Sequence, residues 1–267
     1  MTILIIVAVL LLILLSWQGR IGHKGLDALR GWAYAHRGLH GNGVPENSMS
    51  AFKLAVEQGY GVELDIHLMK DGNLAVIHDS LLKRTTGQEG RVEDLTVDQL
   101  KDYRLEDTDS CIPSFTEVLK LVDGKVPLIV ELKSVDNNYA AVSEKACDIL
   151  SAYSGSYCIE SFDPRCIIWL RKNRPEIIRG QLSENFLDNR NTGVPFLLRF
   201  VMTCLLGNFF SKPDFVAYKY SDRKRLGVWF SRKFWGIQGV SWTLKNQTDY
   251  DTAVKEGWLP IFEGFRP

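Results

Sequence analysis

Titratable side chains in this sequence gather where apolar runs end. His36 and Arg37 follow "WAYA", Glu63 and Asp65 interrupt "GVELDIHLM", His78 and Asp79 close "LAVIHD", and Glu131 and Lys133 close "PLIVELK". Residues two apart on a strand project to one face, so Glu63 pairs with Asp65, and Glu131 with Lys133. Three carboxylates brought together repel and raise one another's pKa. A divalent cation relieves that repulsion, and Mg²⁺ or Ca²⁺ suits carboxylate oxygens better than Zn²⁺. His36 and His78 can serve as proton donor and acceptor. Arg37 and Lys133 add positive charge for a phosphate. Metal, two imidazoles and two cations together describe cleavage of a phosphodiester.

Each piece alone has an ordinary reading. A Glu-x-Asp on a strand is more often a solvated edge or a salt-bridged pair, a lone His more often a structural residue, and Glu131 and Lys133 could simply pair with each other. The combination carries weight because every charged pair interrupts an apolar strand, where an unpaired charge is costly.

These residues need a scaffold that brings strand ends together. From Gly31 onward, strands and helices alternate. Strands are expected at 32–36, 61–69, 74–79, 127–133, 156–162, 177–182, 214–220, 239–244 and 259–265. Helices are expected at 46–59, 114–124, 139–153, 164–173 and 247–257. Ser114 with Glu117 forms a capping box, Pro164 stands at a first helical position, and Gly59 is placed to end its helix. Strand followed by helix over this length predicts an α/β fold, a (β/α)₈ TIM barrel rather than a doubly wound sheet. In such barrels chemistry sits at the C-terminal strand ends, where these polar pairs fall.

The 267 residues include 32 basic and 32 acidic side chains, a balance that argues against nucleic acid as a partner. Five scattered cysteines without a CxxC make a poor disulfide framework and a poor zinc site, and fit a reducing environment. Residues 3–15, "ILIIVAVLLLILL", are all apolar, and the first charge is Arg20. With Thr2, Ser16 and Trp17 the run just reaches the ~17–25 residues of a spanning helix. It lacks a positive n-region and a small-residue cleavage site, so it reads as a retained anchor over residues 1–19, with a juxtamembrane linker at 20–30. Arg20, Lys24 and Arg30 after it put the 31–267 barrel on the cytoplasmic side. An insertion at about 183–213 has an apolar centre, 194–210, broken only by Arg199. It reads as a helix packed over the barrel mouth or as an interfacial lip that favours lipid-derived substrates such as lysophospholipids.

The stretch "AHRGLHGNGVPENSMSAFKLAVEQGYGVELDIHLMKDGNLAVIHD", continued by "LLKRTTGQEGRVEDLT", "IPSFTEVL", "VELK", "IESFDP" and "WTL", resembles the signature of the glycerophosphodiester phosphodiesterase family. The likeness covers nearly everything after the apolar leader. It implies a (β/α)₈ barrel related to phosphatidylinositol phospholipase C, hydrolysing glycerophosphodiesters to glycerol 3-phosphate and an alcohol. On that resemblance Glu63, Asp65 and Glu131 bind one divalent cation, and His36 and His78 are the acid–base pair. Arg37 and Lys133 match phosphate-contacting positions, while Phe162 and Trp242 match positions packing against the glycerol or the departing group. The turn after His36-Arg37 then lets both side chains approach the phosphate, with Glu46 and Asn47 mainly structural. The family commonly ends in a Thr-Asp-x-Pro-like stretch where this chain reads "FEGFRP", which leaves the last strand's contribution open. Three alternatives stand beside this reading: a lysophospholipase D-like enzyme, a lyase that stops at a cyclic phosphate, and a non-catalytic, membrane-tethered binding protein.

Overall fold

The computed structural model describes residues 1–188 and 194–267. Among the described residues nine strands run β1 (Tyr34–Ala35), β2 (Gly61–Leu68), β3 (Leu74–Val76), β4 (Leu128–Leu132), β5 (Tyr157–Ser161), β6 (Arg179–Ser183), β7 (Phe215–Lys219), β8 (Gln238–Leu244) and β9 (Trp258–Phe262). Eight of them form a closed parallel ring in the order β1-β9-β8-β7-β6-β5-β4-β2, with β1 pairing both β9 and β2. β3 is extra: it pairs antiparallel to β2 and lies outside the ring. The fold is therefore the expected TIM barrel.

Helices cover the outer wall between strands, at Met49–Glu57, Phe115–Val122, Tyr139–Leu150, Pro164–Asn173 and Gln247–Lys255. Their starts are set locally. Ser114 and Glu117 form the reciprocal capping box, and Asp163 caps the helix whose first residue is Pro164. The helix expected at 46–59 begins later, at Met49 with Ser48 as its cap, because Asn47 is turned to φ 52° and its side chain is bonded elsewhere. The strands are buried on both faces: every residue of β4, β6 and β9 is buried, as a barrel wall requires.

The N-terminus departs from expectation. Its helix spans Thr2–Ser16, 15 residues, about 22 Å at 1.5 Å per residue against a hydrocarbon layer of about 30 Å. Among the described residues, no helix is long and apolar enough to cross a membrane. This corrects the membrane anchor, and with it the single-pass topology and the cytoplasmic side inferred from flanking charges. The physical reason is Trp17. It leaves the helix, stacks on Phe230 at 4.6 Å and donates from Nε1 to the Cys204 carbonyl at 2.7 Å, so it belongs to the barrel. The residues that follow stay docked there. Arg20 pairs with buried Asp214 at 2.5 Å, and Leu26 and Leu29 are buried against Ile129, Phe215 and Leu259. Within the expected insertion, helices form at Phe196–Thr203 and Asn208–Ser211, while 189–193 lie outside the described residues.

Gly180 shows how tightly the wall is packed. A Cβ there would meet the Phe215 ring at 2.0 Å. Gly180→Ala is expected to cost about 1–3 kcal/mol through overpacking, measured by urea unfolding. A variant as stable as the parent would show that the strand can move aside.

Candidate active site

The C-terminal ends of β1, β2, β4 and β9 supply most of the polar groups at the mouth. Register places Asp65 of β2 level with Glu131 of β4, and Glu131 level with Glu160 of β5. Glu63, Asp65 and Glu131 are buried, and each can offer an oxygen such that all three atoms lie within 4.8 Å of one another. The period-two spacing on β2 thus converges as expected.

Such crowding has an electrostatic consequence. Burial, then the charges of Asp65, Glu131 and Glu160, push the Glu63 carboxyl well above the ordinary carboxylate range. Burial also lifts Glu131, to about 7, against the opposing pull of Lys133. Asp65 goes the other way. Burial would raise it, but Lys133, His78 and Arg37 outweigh that and hold it ionised. Lys133 bridges the pair, its Nζ 2.8 Å from Asp65 and 2.7 Å from Glu131. Asn47 donates to Asp65 at 2.8 Å, and the Arg37 backbone N–H donates to Glu63 at 2.9 Å. Two of three clustered carboxyls therefore resist ionisation without further positive charge, and their hard oxygen donors fit a divalent cation.

The histidines flank this cluster. His36 follows β1, with Nε2 4.0 Å from Glu63 and Nδ1 2.7 Å from Glu263. Burial lowers its pKa, opposed by the Glu263 hydrogen bond. Glu263 in turn is held down to about 2, chiefly by that bond. His78 does not stand on the barrel wall as expected. It follows the extra strand β3 and leans back to the mouth, Nδ1 2.6 Å from Asp79. Burial lowers its pKa too, opposed first by Asp65. A second group that could hold a metal, His36, His40 and Glu263, is less buried and offers one carboxylate against three.

Arg37 sits at φ 54°, an uncommon conformation for a non-glycine residue, and donates to Glu46 at 2.9 Å. Glu46 also accepts from Arg84 at 2.7 Å, and Arg84 pairs with Asp79, so a chain of ion pairs links Arg37 to the partner of His78. Phe162 and Trp242 meet edge to face at 5.6 Å. Together with His36, His78 and Glu131 they line one cavity of about 680 Å³. All nine singled-out residues lie at the mouth. Four that sequence reasoning left unassigned or read as structural also belong there: Glu263, Asn47, Asp79 and Glu160. Glu160 has a buried carboxyl oxygen without a hydrogen-bond partner. Its signal was the acid inside the apolar run "YCIES".

A family model described as the glycerophosphoryl diester phosphodiesterase family matches residues 36–262. A glycerophosphodiester phosphodiesterase of Bacillus altitudinis is 43% identical over 121 residues, 42% of this chain and 49% of that protein. One from Caldanaerobacter subterraneus is 37% identical over 158 residues, 55% of this chain and 65% of that protein. The chain thus spans about half to two thirds of those relatives' length. Among solved structures, an Oleispira antarctica phosphodiesterase in complex with the product sn-glycerol-3-phosphate superposes with a TM-score of 0.72 at 21% identity, covering 86% of this chain and 92% of that one.

If the acidic cluster takes a divalent cation, adding one at about a hundred times its Kd raises stability by about 2.7 kcal/mol. Melting is then expected to rise by about 5–10 °C. Glu131→Gln should remove most of the rise. An equal rise in the variant would place the cation elsewhere.

Proposed function

Because the chain belongs to the glycerophosphoryl diester phosphodiesterase family, we propose that it hydrolyses glycerophosphodiesters to sn-glycerol 3-phosphate and an alcohol. The observation that carries this reading is the convergence of Glu63, Asp65 and Glu131 within 4.8 Å, beside a cavity lined by both His36 and His78. The Oleispira antarctica neighbour, solved with glycerol 3-phosphate, supports the same product.

In this reading the three carboxylates hold Mg²⁺ or Ca²⁺, which supplies Lewis-acid stabilisation of charge on the phosphate oxygens. The chain's own groups do the rest. The Arg37 guanidinium, whose Nε faces Asp65 at 3.5 Å, and Lys133 draw the phosphate to the cluster. Phe162 and Trp242 pack on the glycerol, and the buried, unpartnered Trp242 indole N–H is a ready donor to it. Glu263 holds His36 through Nδ1 and Asp79 holds His78 through Nδ1, leaving Nε2 of each ring for proton transfer. One ring takes a proton from water as its oxygen attacks phosphorus; the other gives a proton to the departing alcohol oxygen.

A binding protein with no catalysis has no need of two imidazoles each fixed by a carboxylate, which favours the enzyme. His36→Ala and His78→Ala are each expected to lower kcat by at least about 10²-fold on glycerophosphodiesters. Near-normal turnover of either would remove that residue from the acid–base pair. Phosphorus NMR of the product should show a phosphomonoester, whereas accumulation of a cyclic phosphate would make the enzyme a lyase. Glu263→Ala is expected to lower kcat roughly tenfold or more with KM little changed, with partial recovery in Glu263→Asp. A change in KM alone would make Glu263 a substrate contact instead.

A further inference from the structure

We propose that His67 is a positioning residue for the reaction: its ring, clamped by Glu93, fixes where His78 stands beside the carboxylate cluster. This role rests on the phosphodiesterase reading above and adds to it a residue outside the acid–base pair and the acidic cluster.

His78 has a placement problem that His36 does not share. His36 follows β1, which is paired on both sides within the closed ring. His78 follows β3, a strand of three residues that lies outside the ring. Asp79 holds the His78 ring through Nδ1 at 2.6 Å, but Asp79 is the next residue on the same segment. It can orient the ring; it cannot by itself fix where the segment stands.

The wall strand β2 supplies that anchor. Glu63, Asp65 and His67 are two apart along it and so share one face, with His67 continuing the line of the two acids toward the mouth. His67 is 2% exposed. Its Nε2 donates to the His78 carbonyl at 3.1 Å, and its Nδ1 lies 2.7 Å from one Glu93 oxygen. The other Glu93 oxygen accepts from the Ser80 hydroxyl at 2.6 Å. One imidazole–carboxylate pair thus grips the segment at residue 78 and again at residue 80. Burial would raise the Glu93 pKa, but the bonds from His67 and Ser80 outweigh it and keep the group below the ordinary carboxylate range, an acceptor at both oxygens.

These contacts also say what His67 does not do. Both of its ring nitrogens are engaged and the ring is buried, so unlike the acid–base pair it keeps no nitrogen for proton transfer. What it offers is geometry. A single rigid strand carries two of the cluster acids and the ring that sets His78 against them, so the distance between cation and proton carrier is fixed within β2 and its side chains. Misplacement by about 1 Å at such a site can cost about 10²-fold in rate, which is the reason to hold the segment from the wall.

The test is a pair of double-mutant cycles, read as kcat and KM on glycerophosphocholine with saturating Mg²⁺. His67→Leu and Glu93→Ala are each expected to lower kcat about tenfold or more with KM within about twofold of the parent. The rise in melting temperature on adding Mg²⁺ should match the parent's, since the cluster is untouched. His67→Gln, whose amide nitrogen can still donate to the His78 carbonyl, should recover much of the loss. In a His78→Ala background the ring to be placed is gone, so either substitution should change kcat by less than about twofold. Losses that multiply in full in that background would overturn the proposal and make His67 a structural residue. Unchanged kcat in variants that melt like the parent, or a change confined to KM, would overturn it as well. Should His67→Leu fail to fold, Glu93→Ala, at a half-buried position, carries the same cycle. A parent inactive on every diester would overturn the phosphodiesterase reading, and this role with it.

Discussion

Everything at this barrel mouth follows from one electrostatic problem: several carboxyl groups are forced together in a place that water hardly reaches. Glu63, Asp65 and Glu131 are fixed by strand register, so they cannot move apart without breaking the ladder between β2 and β4. Like charges at such spacing are tolerated only if protons, cations or both make up the difference. The chain supplies part of the compensation itself. Lys133 bridges two of the carboxylates, the Arg37 amide donates to the third, and Asn47 adds a donor to Asp65. What these leave unbalanced, notably the raised Glu63 and Glu131, makes the cluster receptive to an ion.

The same problem accounts for the surroundings. Arg37 holds an uncommon backbone conformation because its amide is needed on Glu63 while its side chain reaches Glu46. The ion-pair chain from Arg37 through Glu46 and Arg84 to Asp79 links the residue after His36 to the partner of His78. Rigid strands set the carboxylates; loops anchored by these pairs bring the two histidines to them. That division between wall and loop is the usual one in this fold.

Much of this was legible in the sequence. The carboxylates and Lys133 could be found because a strand alternates, and charges two apart in an apolar run have only one interior to share. His36 and His78 were legible as histidines ending such runs, although His78 turned out to follow an extra antiparallel strand that alternation cannot distinguish from a wall strand. Glu263 was not legible as a partner of His36, since their contact depends on β9 closing against β1, 227 residues away. Glu160 required the β4–β5 register, and Asn47 required the reversed backbone that delays the first barrel helix. The apolar leader misled for a related reason. Hydropathy counts residues in a row, whereas Trp17 is claimed by Phe230 and the Cys204 carbonyl, which ends the helix short of a membrane's thickness.

The central claim is that one cation belongs between Glu63, Asp65 and Glu131, in reach of both histidines. Anomalous diffraction from crystals soaked in Mn²⁺ tests it most directly. A single strong peak bounded by those three carboxylates would bear the account out. No peak there, or a peak held instead by His36, His40 and Glu263, would contradict it.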